Sequence, residues 1–357
     1  TAIKPNKYDL ILCGKKGEDT GRGLVGIYLA EFLDFPAVSS VIEIEFKNEK
    51  ALDIFKNSGL EVKASQVFFE EAIIEKYLSS IPRSFNLQAR SPQKNIKIGV
   101  SHSLLGPPLG PPFILEKGEK RYGTLKDYSR LIKLFQQAPL DLNGGEITSP
   151  TDTTPENRAQ KLFYKAVQYS DKPLLGTGSG ASTEAILKMG EIIFGKEKFK
   201  NPSLLKMVGV SSPLQYDADP LTTLINWSRY HQPLIIYAQI LAGVSGPASR
   251  AGTLTLQNAE ILAGAILTQL INPGNPVIYG SFSAAGDMNT GNITVGNGSY
   301  AQIIKAASQM ADFYGIPAAV GGNLTDATEL NCRAGYESML NLYTAINSGI
   351  DLILYGA

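Results

Sequence analysis

Short apolar segments alternate with longer stretches of helical periodicity over most of the chain. From residue 139 onward, seven apolar segments recur at near-regular intervals, at residues 139–143, 173–177, 206–210, 233–238, 276–280, 317–321 and 352–356. Each of the first six is followed by a turn and then by a helical pattern, which is clearest at residues 253–270. Strands that are apolar on both faces and alternate with helices predict a parallel sheet.

Consecutive strand–helix units of this kind favour a closed barrel over an open sheet. We therefore predict an α/β protein with a TIM-type (β/α)8 barrel over residues 139–357. Such a barrel has eight strands, whereas the pattern gives seven. We expect the chain to stop before the barrel closes, which would leave the barrel incomplete at its C-terminal end. The alternative is a strand that the pattern does not reveal.

The residues before the barrel divide into a βαβ piece at 1–46 and an α+β extension at 47–138. A piece as short as the first is too small to fold as an independent α/β domain. In the extension, Thr124 is expected to cap a helix. The other elements expected there are helices at 50–58 and 68–81, strands at 85–90 and 95–100, and a Gly/Pro-rich loop at 106–112.

Composition argues against several classes of binding partner and site. The 357 residues contain 33 basic and 33 acidic side chains, which argues against nucleic acid or a polybasic membrane contact, because both need clustered positive charge. No apolar run reaches the roughly 18 residues of a membrane span. Two cysteines and two histidines, each pair far apart, predict neither disulfides nor a metal site and fit a cytoplasmic protein.

The most specific motifs lie in the second half of the chain. They occupy residues 251–264, 269–281, 313–317, 321–327 and 334–337, with weaker signals at 82–85 and Gly106. Through these motifs the chain, from about residue 47 to its end, resembles the trimethylamine–corrinoid methyltransferase family. The resemblance implies a (β/α)8 barrel whose pocket opens at the C-terminal ends of the strands.

The resemblance also implies a substrate class. The family's trimethylamine enzymes carry pyrrolysine at the position that aligns with Leu324, so the chain is similar to the non-pyrrolysine members. Those members are associated with quaternary amines such as glycine betaine, proline betaine or carnitine. The implied reaction moves a methyl group to the Co(I) corrinoid (cobalamin) of a partner protein. No tightly bound cofactor is implied, and a homo-oligomer is expected.

Two features depart from the family. Residues 1–46 resemble a fragment of the electron-transfer flavoprotein β subunit, through residues 9–14, 19–21 and 32–36. Family members also continue beyond the point that matches Ala357. Two alternatives therefore stay open: a methyltransferase for trimethylamine or another methylamine, and a truncated, non-catalytic barrel that binds a partner.

The chemistry of methyl transfer favours a quaternary substrate. A quaternary ammonium leaves as a neutral tertiary amine, so no general acid is needed, whereas a tertiary amine must first be activated and Leu324 cannot activate it. The protein then has to hold a cation and exclude water. Aromatic faces attract such cations by about 0.5–2 kcal/mol per contact.

Candidate site residues follow from the C-terminal ends of the predicted strands. No residue is assigned as a nucleophile, acid or base. Substrate-binding candidates are Glu146, Gln239, Tyr279, Phe282, Asn323, Leu324, Thr325 and Asp326, with Tyr355 as a weaker one. One of the two aromatic residues near 280 is expected to face the pocket and the other to pack on helices. Candidates facing the corrinoid partner are Gly243, Ser245, Gly246 and Arg250, the last also able to meet a substrate carboxylate.

Overall fold

The structure, a computed structural model, describes residues 42–100, 102–116, 118–287 and 290–356. The first strand and the helix predicted within residues 1–41 lie outside the described residues. Strands in chain order are β1 (Ile42–Phe46), β2 (Glu61–Lys63), β3 (Gln66–Phe69), β4 (Phe85–Leu87), β5 (Ile96–Ile98), β6 (Leu104–Leu105), β7 (Phe113–Glu116), β8 (Glu119–Tyr122), β9 (Asn143–Gly144), β10 (Leu174–Leu175), β11 (Leu204–Gly209), β12 (Gln215–Tyr216), β13 (Leu234–Ala238), β14 (Leu241–Ala242), β15 (Val277–Ser281), β16 (Ala284–Gly286), β17 (Ile293–Thr294), β18 (Ala318–Gly321) and β19 (Leu352–Leu354).

Nine α-helices lie between these strands within the described residues. In chain order they are α1 (Glu49–Asn57), α2 (Glu71–Leu78), α3 (Leu125–Gln137), α4 (Pro155–Tyr169), α5 (Ser182–Phe194), α6 (Ala218–Arg229), α7 (Arg250–Ile271), α8 (Gly298–Tyr314) and α9 (Cys332–Asn347). Thr124 caps α3 as predicted, because its hydroxyl accepts the N–H of Asp127 while the Asp127 carboxylate accepts the N–H of Thr124. This reciprocal pair satisfies two of the donors that a helix start leaves free.

Eight parallel strands form the central sheet, in the order β6-β19-β18-β15-β13-β11-β10-β9. Each of the seven predicted strands overlaps one of them. Between consecutive strands the chain returns through a helix, from α3 after β6 to α9 before β19. The TIM-type (β/α)8 fold with an N-terminal extension is therefore confirmed. The sheet curls without closing into a complete barrel, since its end strands β6 and β9 form no ladder within the described residues.

The eighth strand is β6, which precedes the seven predicted ones and pairs with β19. The N–H groups of Asp141 and Leu142 both donate to the Leu105 carbonyl, at 2.8 and 3.3 Å. These bonds link β6 to the segment that enters β9, the strand at the other end of the sheet order. The predicted count of seven strands is thus corrected to eight, because one strand lies before the Gly/Pro-rich loop.

Side chains of the barrel strands alternate between two cores. Residues that fill the barrel interior include Leu175, Leu205, Ile235 and Ile278. Their immediate neighbours in sequence pack instead against the helices, and include Leu174, Leu204, Leu234 and Val277. This period of two is the strand periodicity, and burial on both faces explains why the strands are continuous apolar runs.

The β4–β5 hairpin closes the amino-terminal end of the barrel. Phe85, Leu87 and Ile98 join the interior core, and the Gln88 N–H donates to the Pro202 carbonyl, just before β11, at 2.9 Å. Since this end is filled by apolar side chains, a site inside the barrel must open at the opposite end.

The start of the described chain builds a small sheet beside the barrel, in the order β12-β1-β3-β2. Phe46 in β1 stacks on Tyr216 in β12 with ring centroids 5.2 Å apart. The predicted helix at 68–81 is shorter than expected, because residues through Phe69 pair as β3 and the helix begins at Glu71. Tyr216 also donates to the Glu260 carbonyl of α7 at 2.8 Å, so this sheet packs on the barrel shell.

Helix α7 is long and apolar enough to cross a membrane by length and composition alone. However, 72% of its most apolar window is buried within the described part of the protein. Its neighbours include β13, β15 and the helices on either side, α6 and α8. An apolar surface covered on all these sides is that of a core helix.

Candidate functional site

A cavity of about 360 Å³ lies at the carboxyl ends of the barrel strands. The loops after β6 and β9, the strand ends of β10, β11 and β13, the start of α6 and the end of β19 all contribute to its wall. Its lining residues are Leu109, Gly110, Gly145, Glu146, Leu175, Gly176, Gly178, Ser179, Lys206, Met207, Val208, Gly209, Pro220, Thr223, Tyr237 and Tyr355. The cavity therefore lies at the end of the barrel where the pocket was predicted, at the carboxyl ends of the strands.

Tyr237 projects from β13 into the mouth of the barrel. Two glycines make room for it: a methyl group on Gly209 would lie 2.8 Å from the Tyr237 ring, and one on Gly280 would lie 2.5 Å from its Cβ. Phe282 packs edge-on against the same ring, with centroids 5.2 Å apart. Burial raises the pKa of the Tyr237 phenol, and the nearby Glu146 carboxylate raises it further. The phenol therefore stays neutral and presents an aromatic face.

Tyr355 supplies a second aromatic wall. Its hydroxyl donates to the Leu109 carbonyl at 2.9 Å, and the Gly356 N–H donates to the Gly106 carbonyl at 3.0 Å. The last strand is thereby joined to the predicted Gly/Pro-rich loop at 106–112. Burial raises the pKa of the Tyr355 phenol, so this ring is also neutral.

Glu146 places a carboxylate in the wall of the cavity. Its Oε1 accepts the Gly178 N–H at 2.9 Å, which connects the loop after β9 to the loop after β10. The residue is exposed to solvent at the mouth. The sequence-based prediction that Glu146 lies near the pocket agrees with this placement.

Lys206 is the one lysine among the described residues that line this cavity. It lies within β11 and is only 8% exposed. Its ammonium donates to the Gly176 carbonyl at 3.3 Å. Burial lowers the pKa of this lysine, and the Glu146 carboxylate opposes that shift. The two charged groups thus face the same cavity without forming a direct ion pair.

The loop at residues 323–326 lies at the same end of the barrel as the cavity but does not line it. The Asn323 N–H donates to the Tyr355 carbonyl at 2.7 Å, which sets the loop beside the last strand. Leu324 packs over Gly321 and against the core outside the barrel. Leu324, predicted to bind substrate, therefore does not contribute to the wall of this cavity.

Thr325 and Asp326 anchor this loop instead of facing the cavity. The Thr325 hydroxyl and the Asp326 N–H both donate to Glu337 Oε2 in α9, at 2.7 and 2.8 Å. The Asp326 carboxylate accepts the N–H groups of Val295 and Gly296, each at 2.8 Å. Neither residue caps α9, since Asn331 does so.

Of the two aromatic residues near 280, Phe282 belongs to the interior core and Tyr279 packs outside the barrel. Gln257 in α7 donates to the Tyr279 hydroxyl at 3.3 Å. The Tyr279 and Phe282 side chains lie on opposite faces of the sheet because alternate strand residues point to opposite faces. Neither lines the cavity; Phe282 reaches it only through its contact with the Tyr237 ring. Gln239 is exposed at the end of β13, outside the cavity wall.

The four residues expected to face a corrinoid partner lie on the outer rim. Gly243 donates to the carbonyls of Gly246 and Pro247, each at 3.2 Å, which closes the loop on itself. The Ser245 hydroxyl accepts the Leu241 N–H at 2.9 Å. Arg250 pairs with Gln302 of α8, so it does not reach the cavity where a substrate carboxylate was expected.

Sequence reasoning missed Lys206 and Tyr237 as site residues. One signal was available for the lysine. It stands in a strand that is otherwise buried on both faces, and burying a charge is costly unless the charge is paired and hydrogen-bonded. Nothing in the local pattern distinguishes Tyr237 from its apolar neighbours, since its exposure to the cavity depends on the glycines of adjacent strands.

Comparison with known proteins places the chain among methyltransferases. Residues 37–357 match the family described as trimethylamine methyltransferase (MTTB). Glycine betaine methyltransferase of Desulfitobacterium hafniense (strain Y51) is 39% identical over 88% of this chain and 67% of its own length. Proline betaine:corrinoid methyltransferase of Eubacterium limosum is 30% identical over 88% and 67%. Trimethylamine methyltransferase MttB of Methanosarcina barkeri (strain Fusaro) is 28% identical over 88% and 66%. The chain spans about two thirds of these relatives' length.

Proposed function

The chain belongs to the trimethylamine methyltransferase family, and from this premise we propose that it transfers a methyl group from a betaine-type quaternary amine to the Co(I) corrinoid of a partner protein. The observation that carries the proposal is the cavity at the carboxyl ends of the barrel strands, where two neutral phenols and a carboxylate converge. The names of the relatives with the higher identities, on glycine betaine and proline betaine, support the same substrate class.

The wall chemistry suits a quaternary ammonium. The faces of Tyr237 and Tyr355 attract such a cation, and the Glu146 carboxylate adds opposite charge. The cavity volume of about 360 Å³ lies at the small end of the roughly 300–1,000 Å³ typical of ligand sites. A betaine with few carbon atoms is the class of amine that we expect to fill it.

The reaction needs little acid–base chemistry from the protein. The bond between the methyl carbon and nitrogen breaks, its electron pair leaves with the tertiary amine, and the carbon bonds to the cobalt of the acceptor. No proton is needed on the leaving group. The task left to this chain is to hold the methyl group in line with the acceptor and to exclude water.

The open end of the barrel is the face that we assign to the corrinoid partner. The self-closed loop after β14, with Gly243, Ser245 and Gly246, and the nearby Arg250 stand on this rim. The acceptor is treated as a substrate delivered by a separate, cytoplasmic protein. We expect neither a membrane nor a nucleic acid as a partner, because the 33 basic and 33 acidic side chains balance.

Methylation of Co(I) cobalamin, followed by the change in its visible spectrum, tests the proposal. The substrate panel is glycine betaine, proline betaine, carnitine and trimethylamine, with a reaction lacking protein as the control. We expect turnover with at least one betaine and none with trimethylamine. Activity on trimethylamine alone would overturn the substrate class, and inactivity on the whole panel would favour a non-catalytic role.

A further inference from the structure

Lys206 is buried, and its ammonium forms no ion pair with the described residues. Its methylene stem passes beside Gly176, near the Trp227 ring, on the side of β11 that it shares with Leu204 and Val208. At this end of the barrel the cavity extends to the start of α6, and Lys206 is among the residues that line it. Burying an ammonium is costly unless it is paired and hydrogen-bonded. Its hydrogen-bond partner among the described residues is the Gly176 carbonyl, at the long distance of 3.3 Å.

Lys172 shows what a structural buried lysine looks like in this protein. It is 9% exposed, and its ammonium donates to the carbonyls of Phe135 and Ala138, both at 2.8 Å. Burial lowers its pKa as well. Among the described residues, Lys206 therefore has one long hydrogen bond where Lys172 has two short ones, and Lys206 also lines a cavity.

The charges around the cavity are separated instead of neutralised. Glu146 influences Lys206 electrostatically, yet its carboxylate bonds to the Gly178 N–H. A small molecule with one negative and one positive end would meet complementary charge at both ends of such a cavity.

We propose that Lys206 binds the carboxylate of a zwitterionic betaine, with the ammonium end of the substrate held by Glu146 and the Tyr237 face. The assignment rests on the function proposed above. It adds the residue that distinguishes quaternary amines with a carboxylate from those without one. It gives the substrate a fixed direction, because the carboxylate is held beside β10 and β11 and the methyl groups are turned toward the barrel mouth. Amines without a carboxylate leave the buried ammonium without its partner.

The first test changes the substrate and leaves the protein intact. Isothermal titration would compare glycine betaine with its methyl ester and with tetramethylammonium, which both keep the quaternary centre and lack the anion. We expect glycine betaine to bind at least ~30-fold more tightly than either, as for loss of one partner of a buried charge pair. Equal affinity for betaine and its ester would overturn the assignment.

The second test is Lys206→Met, which keeps an unbranched side chain one atom shorter than lysine and removes the charge. Betaine affinity should fall by a similar factor, while tetramethylammonium affinity should stay unchanged. Lys172→Met is the matched control, because it removes an equally buried lysine at the other end of the barrel and should leave betaine affinity unchanged. Thermal unfolding followed by circular dichroism checks that both variants are folded.

The two proposals fail in different ways. If no quaternary amine binds and none methylates Co(I) cobalamin, the proposed function fails and this assignment falls with it. Suppose that betaines are demethylated, that Lys206→Met binds glycine betaine as tightly as the unaltered protein does, and that the methyl ester binds as tightly as glycine betaine. Then only the role of Lys206 is wrong.

Discussion

At the scale of single residues, Gly209 leaves the space that the Tyr237 ring occupies in the cavity wall. The space that a side chain would fill is taken by the Tyr237 ring, whose nearest atoms lie 2.8 Å from a methyl group built on this glycine. Its backbone needs no left-handed conformation, since Gly209 is not among the positive-φ residues. The glycine is therefore required for the position of the tyrosine and not for the path of the chain.

Replacing Gly209 with alanine should displace the Tyr237 ring. We expect a raised KM for the quaternary amine and a loss of about 1–3 kcal/mol of stability from overpacking, measured by steady-state kinetics and urea unfolding. Gly335→Ala is the control, because nothing lies within 4 Å of the added methyl group in α9. That control should leave KM unchanged and stabilise the protein by up to ~1 kcal/mol. An unchanged KM for the Gly209 variant would contradict the role of the ring.

Glu260 makes stability depend on pH near neutrality. It is fully buried in α7 and accepts the Ser212 hydroxyl and the Leu214 N–H, both at 2.7 Å. Burial raises its pKa from 4.5 to about 7. Between these two values the folded state keeps a proton that the unfolded chain has lost, so the free energy of unfolding falls as pH rises through this window.

The contribution of Glu260 to this loss should be roughly 3 kcal/mol by pH 8, from 1.36 kcal/mol per pKa unit. Glu260→Gln keeps one acceptor for Leu214 and removes the titration, so its free energy of unfolding should vary less between pH 5 and pH 8. Urea unfolding of both proteins across this range measures the difference. Parallel pH profiles would show that other groups cause the dependence.

At the scale of elements, helix α9 anchors the rim loop that sequence reasoning assigned to the substrate. Glu337 accepts bonds from Thr325 and from the Asp326 N–H, and Arg333 pairs with its other oxygen at 2.6 Å. These contacts lower the pKa of Glu337 to about 2. The carboxylate therefore stays ionised and holds the loop at any pH near neutrality.

Glu337→Ala should release this loop without unfolding the barrel. We expect faster amide hydrogen exchange at residues 323–327 and a higher KM, because the loop bonds to the strand that carries Tyr355. Glu329→Ala, at an exposed position in the same connection, should change neither. Unaltered exchange in the Glu337 variant would mean that other contacts fix the loop.

At the scale of the whole molecule, the barrel depends on the contact between β6 and the segment that enters β9. Asp141 takes part twice: its N–H donates to the Leu105 carbonyl at 2.8 Å, and its Oδ2 accepts the Leu105 N–H at 2.7 Å. The side chain thereby satisfies a backbone donor that would otherwise lack a partner at this junction.

Asp141→Ala should cost about 1–3 kcal/mol of stability, the penalty for leaving a buried donor unsatisfied. Urea unfolding measures the loss, and exchange of the Leu105 amide should accelerate. Asp53→Ala removes an exposed carboxylate on α1 and should have little effect. Equal stability of the two variants would show that the backbone bond alone holds the junction.

The sequence by itself determined the class of fold and the end of the barrel at which the site opens. Repeated apolar segments separated by helices require a sheet covered on both faces. Glu146 and Tyr355 were chosen as candidates because they lie at the carboxyl ends of predicted strands, and both line the cavity. Phe282 was chosen on the same ground and lies in the interior core beside it. The eighth strand was missed because Leu104–Leu105 lies before the Gly/Pro-rich loop, outside the regular repeat of strand and helix.

Only the tertiary structure decided which side chains share the cavity. Leu324 and Tyr279 pack in the core outside the barrel and do not line the cavity. Lys206 lies on the helix-facing side of its strand, and it lines the cavity because the cavity extends to the start of α6. Such choices depend on pairing between strands far apart in sequence and on glycines that leave space for a neighbour's ring. No local pattern carries that information, because it arises when the sheet curls round its own side chains.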